Sequence, residues 1–191
     1  TKYLTKSRFK LATECPTKLF YTGKPKCYAD KQLNDKFLQS LADGGFQVGE
    51  LAKIMSPEGV EIEGASHEQQ IKATGDKLSE DHVTLFEAAI SYKNFFARVD
   101  ILRKVGDRVE LIEVKAKSYS ADDDLDFRSS KGKLSSKWLP YLRDVAFQAY
   151  VFQRAYPALK VSSFLMLADK DSVCSVDGLN QKFKIVREKR H

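Results

Sequence analysis

The chain has 191 residues, of which 42% are hydrophobic, and a formal net charge of +6. This apolar content is enough for one hydrophobic core, so we expect a single domain over residues 1–191. The sequence has no apolar run of roughly 18 residues and no apolar signal segment near its start, which argues against a membrane-spanning protein. The positive charge fits a polyanionic partner and fits an ordinary solubilising surface equally well.

Three cysteines are present, Cys15, Cys27 and Cys174, without a Cys-x-x-Cys spacing. An odd number of dispersed cysteines is typical of reduced thiols, so we expect a cytoplasmic protein without a disulfide framework or a local zinc site. The first residue is Thr1 rather than Met. We therefore expect a processed chain, or a piece of a longer protein with further domains.

Residues 1–80 have the pattern of a helical N-terminal part. Helix-breaking and capping residues set the predicted boundaries. We expect a helix over residues 5–21 interrupted at Cys15-Pro16, a helix over 30–41 closed by Gly44-Gly45, a separate short helix over 48–55, and a helix over 66–78 capped by Ser66.

Residues 81–169 have the pattern of a core of strands with one helix. We predict strands over 83–91, 95–103 and 109–117, a polar loop over 118–137, a helix over 139–156 and a buried strand over 160–169, followed by a C-terminal tail over 170–191 that ends in a strand or tail over 177–190. The first strand alternates only partly, as does a strand that is covered on both faces. The polar loop is long for a compact domain, and such loops are usually functional or disordered.

The second and third strands carry the most informative residues of the chain. If Gly106-Asp107 is the two-residue loop of a type II′ hairpin, counting outwards places Asp100 directly opposite Glu113. Like charges at facing positions destabilise a strand pair, so a purely structural hairpin should avoid them. Lys115 shares a face with Glu113, because side chains two residues apart point the same way. Two carboxylates and an ammonium group are what a divalent cation and a neighbouring water require.

The order of elements, with an acid on the second strand and Glu-x-Lys on the third, resembles the PD-(D/E)xK nuclease core. The chain is most similar to the RecB-like branch, which includes CRISPR-associated nucleases and the nuclease domains of AddAB and RecBCD. The segments that carry the resemblance are a Cys-Pro helix at 7–21, a glycine followed by an acid at 49–51, an Asp strand at 98–102, a Glu-x-Lys strand at 112–117 and a Gln/Tyr helix at 147–150. The resemblance implies an α/β, restriction-endonuclease-like core with a mixed central sheet flanked by helices.

The resemblance also implies a site. Asp100 and Glu113 would bind Mg²⁺ or Mn²⁺, with the backbone carbonyl of Val114 as a further oxygen ligand. Lys115 would orient the attacking water or stabilise the developing charge. The competing interpretation of these residues is an exposed cross-strand ion pair between Lys115 and Asp100, and the order of the surrounding elements favours the metal site.

Two residues compete for the helix-borne metal ligand of this branch. Glu50 follows a glycine at the matching position, and an oxygen donor suits Mg²⁺ or Mn²⁺. His67 opens the next predicted helix and would suit a histidine-bearing site. Each could instead be a solvated helix residue. Glu87, in the first strand, could support the site or face outwards.

Other residues are candidates for contact with nucleic acid. Gln148 and Tyr150 could contact the phosphate backbone or support Lys115, or they could be ordinary surface and core residues of their helix; only one residue separates them here, whereas the branch has three. In the polar loop, phosphate contacts are predicted for Lys131, Lys133 and Lys137, with Trp138 as a stacking residue. The acidic run 122–124 lacks the spacing of a calcium loop, and we interpret it as solvated.

Some members of the branch hold an iron–sulfur cluster with one cysteine near the Cys15 position and three near the C-terminus. Only Cys174 lies near the C-terminal end here, so we expect no such cluster from this chain. The predicted function is a Mg²⁺- or Mn²⁺-dependent nuclease acting on single- or double-stranded DNA. The alternatives are a non-catalytic nucleic-acid-binding or interaction module with the same fold, and a nuclease acting on RNA. The sequence does not reveal an oligomeric state.

Overall fold

The computed structural model describes residues 3–24, 26–28, 35–120, 127–129 and 131–182. The chain forms one mixed sheet with helices packed against it. In chain order the elements are β1 (Leu4–Thr5), α1 (Lys6–Glu14), α2 (Pro16–Tyr21), α3 (Lys36–Lys53), β2 (Val60–Glu61), α4 (His67–Lys77), β3 (His82–Tyr92), β4 (Phe95–Val105), β5 (Arg108–Tyr119), α5 (Leu139–Ala155), β6 (Lys160–Asp169) and α6 (Leu179–Lys182).

The six strands form a single sheet in the order β2-β3-β4-β5-β6, and β1 pairs with β4 outside this path. β3, β4 and β5 are antiparallel neighbours, whereas β1, β2 and β6 each join the sheet in parallel. α4 packs against β3, α3 against β5, and α5 against the four strands β3 to β6. The predicted mixed α/β sheet flanked by helices is therefore confirmed.

The β4–β5 hairpin has the predicted register. Val105 pairs with Arg108, and the ladder continues to Ile101 opposite Ile112. Gly106 has a φ of +59° and Asp107 a negative φ, which agrees with the predicted type II′ turn. Beyond Ile101 and Ile112 these strands, which are described along their whole length, no longer pair with each other. The next two facing positions, Asp100 and Glu113, therefore lie where the strands part.

Two apolar clusters hold the sheet between its helices. The larger one lies against α5, where Phe147, Val151 and Phe152 pack on strand residues such as Leu85 and Leu102. The smaller one lies against α3, where Ala52 packs with buried residues of β3, β4 and β5. Burying both faces of β3 to β5 fixes these strands, since apolar area removed from water is the main stabilising term. β3 is covered on both faces, as its partial alternation predicted.

The N-terminal helices agree with the prediction, except at one point. The first helix is interrupted at Cys15, which caps α1 with a hydrogen bond from its N–H to the carbonyl of Leu11, and Pro16 opens α2. The prediction of separate helices before and after Gly44-Gly45 is wrong, because α3 runs unbroken through both glycines. Each glycine costs a helix about 1 kcal/mol but does not block it. The predicted start at residue 30 lies outside the described residues.

β6 has the predicted bounds but is not a buried strand, and this prediction is wrong. Its residues are exposed or half-buried, because among the described strands β6 lies at the edge of the sheet and pairs with β5 alone. Its apolar residues are only partly buried, with Val161 packed on the larger cluster and Met166 on the smaller one. The short strands β1 and β2 were not predicted, since two residues carry no periodicity.

Within the described residues, no helix has the length and apolar character needed to cross a membrane. The predicted C-terminal strand falls mostly beyond residue 182, outside the described residues.

Candidate active site

The parting of β4 and β5 brings two carboxylates together. Glu113 is fully buried, and the side chain of Asp100 is 27% exposed. The backbone N–H of Val114 donates a hydrogen bond of 2.7 Å to Asp100 Oδ2, which replaces the ladder bond that the separated strands no longer make. We call this place, where β4 and β5 part beyond Ile101 and Ile112, the fork. The carboxylate of Asp100 thus links the two strands at the fork.

Two lysines surround the buried carboxylate. Lys115 Nζ lies 2.6 Å from Glu113 Oε1, as expected for neighbours on one strand face. Lys6 Nζ donates to both oxygens of Glu113, at 2.7 and 3.0 Å, and lies 4.0 Å from Asp100 Oδ1. Lys6 is the first residue of α1, which β1 attaches to β4. Burying a carboxylate without partners is costly, and these two ammonium groups offset that cost.

Helix α5 supplies the remaining polar contacts. The amide nitrogen of Gln148 donates to Glu113 Oε2 at 2.5 Å and to the carbonyl of Asp144 at 3.2 Å. Asp144 Oδ2 accepts from Lys115 Nζ at 3.0 Å. Asp144 and Gln148 are four residues apart and so share one helix face. Gln148 Oε1 is buried, and no partner for it exists among the residues that the structure describes.

Burial and neighbouring charges shift the pKa values of the three groups at the fork. Burial, together with the negative charge of Glu113, raises the pKa of Asp100 to about 6. Burial also acts to raise the pKa of Glu113, but the ammonium groups of Lys6 and Lys115 outweigh it and hold that pKa below its usual value. Burial acts to lower the pKa of Lys115, and its contacts with Glu113 and Asp144 reverse this and raise it. In the metal-free protein Lys115 is therefore a cation.

The carboxylates open into a cleft of about 360 Å³ between the sheet and α3. One face of α3 forms the opposite wall, at positions three and four residues apart: Ala42, Gly45, Phe46, Gly49, Glu50 and Lys53. Side chains added at Gly45 or Gly49 would meet no atom within 4 Å, so this wall stands clear of the sheet. The cleft therefore leaves room for a ligand beside Asp100 and Glu113.

Glu87 lies in the same cleft in an unusual backbone conformation. Its φ is +54°, which is costly for a residue with a side chain, and it falls in the middle of a strand. The β3–β4 ladder omits the position where Glu87 would face Asp100, although its register is the same on both sides. The Glu87 carboxylate lies 3.6 Å from the guanidinium of Arg98, and its charge contributes to the raised pKa of Asp100. Glu87 was predicted either to support the site or to face outwards, and in the structure it faces the cleft.

The two candidates for a helix-borne ligand lie in different places. Glu50 lines the cleft, but its carboxylate accepts from Lys53 Nζ at 2.9 Å on the wall opposite the fork. His67 packs against the rings of Tyr3 and Phe96, with ring centroids 5.7 and 4.3 Å away, and does not line the cleft. The structure therefore brings neither side chain to the carboxylate pair.

Of the residues predicted to contact nucleic acid, one lies at the fork and the others lie elsewhere. Gln148 reaches the fork, whereas Tyr150 lies on another face of α5 and packs against Phe95, 5.8 Å between ring centroids. Lys131 and Lys133 are exposed in a turn that the Arg128–Leu134 bridge closes. Lys137 Nζ lies 5.4 Å from the ring of Trp138, which is buried rather than free to stack on a base. The acidic run 122–124 lies outside the described residues.

Two residues of the site were missed in the sequence. Lys6 lies 107 positions from Glu113, and no local pattern links the two. Asp144 had a usable signal, since it precedes Gln148 by one helical turn and so shares the face predicted to meet the strands. The three cysteines form no disulfide; Cys27 and Cys174 are exposed and Cys15 is half-buried.

The donor set suits a hard divalent cation. Mg²⁺ prefers carboxylate and carbonyl oxygens, and it commonly binds through one or two carboxylates while keeping several waters. Asp100 and Glu113 supply such oxygens at the cleft, and the Val114 carbonyl belongs to the same strand. Within the described part of the chain, no group of three or more His, Cys, Asp or Glu side chains is arranged to hold a metal. A metal here would therefore depend on these two carboxylates, backbone oxygen and water.

The chain matches no model of a known protein family and no curated protein.

Proposed function

We propose that the chain is a Mg²⁺- or Mn²⁺-dependent nuclease with a restriction-endonuclease-like core, hydrolysing phosphodiester bonds in DNA in the cytoplasm. The single observation that carries the proposal is a pair of like-charged carboxylates, one fully buried, held with a lysine at the point where two antiparallel strands part. Such an arrangement opposes strand pairing and needs a functional reason.

In this proposal Asp100 and Glu113 hold the metal, with the Val114 carbonyl as a further oxygen ligand. A bound divalent cation would polarise the phosphate and lower the pKa of a water. Gln148 orients Glu113 through its amide hydrogen bond, and the fork fixes Asp100 through the Val114 N–H. These contacts hold the carboxylates in place before any ligand arrives, which is the main requirement of electrostatic catalysis.

Lys115 acts as a cation in this proposal rather than as a proton acceptor. Its contacts with Glu113 and Asp144 raise its pKa and favour the ammonium form, which has no lone pair to accept a proton. It can donate a hydrogen bond to the attacking water or stabilise the negative charge that develops on the phosphate. Asp144 holds Lys115 in this position from the α5 side at 3.0 Å.

The second candidate is a nucleic-acid-binding or interaction module that does not cut. The observation favouring it is Lys6, whose ammonium lies against both carboxylates where a nuclease would place its metal. A permanent ion pair at that point would leave the cleft as a binding surface only. The polyanionic partner suggested by the net charge of +6 is the same under both candidates.

The test is cleavage of end-labelled single-stranded DNA, double-stranded DNA and RNA of one sequence, with Mg²⁺, Mn²⁺ or EDTA. Wild type is compared with Lys115→Ala and with Lys160→Ala, a matched control whose lysine pairs with Asp107 at the far end of the hairpin. We expect metal-dependent cutting of DNA by wild type and Lys160→Ala, and a loss of at least about 100-fold in Lys115→Ala.

Cleavage of RNA alone would contradict the assignment of DNA as the substrate, but it would still support metal-dependent hydrolysis of phosphodiester bonds. Equal cleavage by wild type and Lys115→Ala would contradict the proposed site. If wild type binds labelled DNA but cuts no substrate with either metal, the binding module is the better description.

A further inference from the structure

The contacts of Lys6 support an inference that deepens the proposed function and rests on it. Lys6 Nζ contacts both oxygens of Glu113 and is the ammonium group nearest to the gap between the two carboxylates. Lys115 Nζ also contacts Oε1 of Glu113, and the Gln148 amide also donates to Oε2. Every oxygen of the buried carboxylate is therefore already in contact with two donors.

The backbone of Lys6 is held where its side chain must enter the site. The two residues before it form β1, which pairs in parallel with Phe95 and Phe96 of β4. Leu4 donates from its N–H to the Asn94 carbonyl at 2.7 Å, and the Thr5 side chain caps α1. The stem of Lys6 has four rotatable bonds beyond this anchor, so its ammonium can leave the carboxylates without any movement of the fold.

A divalent cation and the Lys6 ammonium cannot occupy the same place. A metal bound by Asp100 and Glu113 would need oxygen lone pairs that Lys6 now uses, and it would repel the ammonium at close range. We propose that Lys6 is a tethered cation that competes with the metal for Asp100 and Glu113, leaves them when the metal binds, and so sets the affinity of the site. In the absence of metal it neutralises the buried carboxylate.

The first test measures binding of Mn²⁺ alone to the full chain by isothermal titration calorimetry. Lys6→Met keeps the length of the side chain but removes its charge; Lys53→Met removes a charge from the opposite wall of the same cleft, where Lys53 pairs with Glu50 and Glu61. We expect Lys6→Met to bind Mn²⁺ at least about tenfold more tightly than wild type, and Lys53→Met to differ from it by less than about threefold.

The outcomes separate this inference from the function on which it rests. Equal or weaker Mn²⁺ binding by Lys6→Met, with wild type still binding, overturns the competition and leaves the metal site intact. Equal gains in both variants would show a general charge effect and also overturn it. If neither wild type nor Lys6→Met binds Mn²⁺, the metal-dependent function fails and the competition fails with it.

A second measurement needs no variant, in case Lys6→Met does not fold. Wild type is treated with an amine-reactive acylating reagent, with and without Mn²⁺, and modification of each lysine is followed by peptide mass spectrometry. We expect Lys6, whose side chain is 25% exposed and held by Glu113, to react slowly without metal and at least about fivefold faster once metal displaces it. Lys72, whose side chain is 78% exposed and lies on α4, serves as the internal reference. An unchanged rate at Lys6 under saturating Mn²⁺ contradicts the proposal.

Discussion

The two ends of the β4–β5 hairpin handle charge in opposite ways. Near the turn, Arg103 faces Glu110, and the two form an ion pair of 3.0 Å with side chains 41% and 44% exposed. At the other end the next facing positions hold Asp100 and Glu113, two carboxylates, and Glu113 is fully buried. The turn end is what strand pairing alone favours, and the fork end is what it opposes.

The difference shows what it takes to keep like charges in a sheet. At the turn end Arg103 and Glu110 are partners across the ladder. At the fork end the strands part, and the opposite charges come from other elements: Lys6 from α1 and Lys115 from β5, with Asp144 of α5 holding Lys115. Elements distant in sequence thus converge on one buried carboxylate, whereas the pair at the turn is local and exposed.

The largest expected effect compares the same substitution at both ends. Glu113→Gln leaves the ammonium groups of Lys6 and Lys115 beside a neutral amide in a largely buried position, so we expect the free energy of unfolding to fall by about 3 kcal/mol. Glu110→Gln removes an exposed partner of Arg103 and should cost about 1 kcal/mol or less. Urea denaturation of both variants measures the difference. Equal losses would mean that the buried carboxylate at the fork contributes no more to stability than the exposed one near the turn.

The pH dependence should have opposite signs at the two ends. The pKa of Asp100 is raised to about 6 from an ordinary value of 3.8. Between about pH 4 and pH 6 the unfolded chain gives up this proton before the folded chain does, so the stability associated with Asp100 falls as pH rises. Asp100→Asn should therefore raise the free energy of unfolding by about 1–2 kcal/mol at pH 7.5, with little gain at pH 4. Thermal unfolding in EDTA across this range is the measurement.

The matched control for this pH experiment is Asp107→Asn, at the turn. There a hydrogen bond from Lys160 holds the pKa of Asp107 below its ordinary value. The stability due to Asp107 is present above its unfolded pKa and is lost as pH falls through the folded pKa, so Asp107→Asn should lower stability at neutral pH. A gain in stability from both substitutions would contradict the assignment of opposite environments to the two carboxyls.

The smallest expected effect concerns the strand on the other side of Asp100. Glu87 has a φ of +54°, and glycine adopts that conformation without the steric penalty that a Cβ imposes. Glu87→Gly should therefore raise the free energy of unfolding by about 1 kcal/mol relative to Glu87→Ala, which removes the same charge but keeps the Cβ. Calorimetric unfolding of the two variants separates backbone strain from charge. Equal stabilities would show that the conformation costs little.

The hairpin and its acidic pair were predictable because every interaction involved is local. Gly106-Asp107 selects the turn, and the turn selects the register, which holds as far as Ile101 opposite Ile112. Asp100 and Glu113 come one position later, where the predicted pairing has already ended. Lys115 follows from the two-residue period of a strand. The helices with clear capping residues, such as α4 after Ser66, were equally well determined by nearby residues.

The rest depends on tertiary contacts that short sequence patterns do not contain. Lys6 reaches Glu113 because β1 adds to the sheet, and a two-residue strand leaves no detectable pattern. α3 continues through Gly44 and Gly45 although glycine is a poor helix former, and its contacts with β5 are not visible in its own sequence. β6 has the apolar composition of a buried strand, although it lies at the edge of the described sheet. The order of the strands decides which strand lies at the edge, and the sequence of one strand does not reveal that order.

The two-residue strand β1 also makes residues 4–5 important for the charge in the cleft. Only Leu4 and Thr5 pair with β4 immediately before the lysine that neutralises Glu113. Loss of that short pairing would release the backbone that holds Lys6 and so withdraw a positive charge from the cleft while leaving the hairpin intact. Preparations that differ in the residues ahead of Lys6 should therefore be treated as different proteins in any assay with metal.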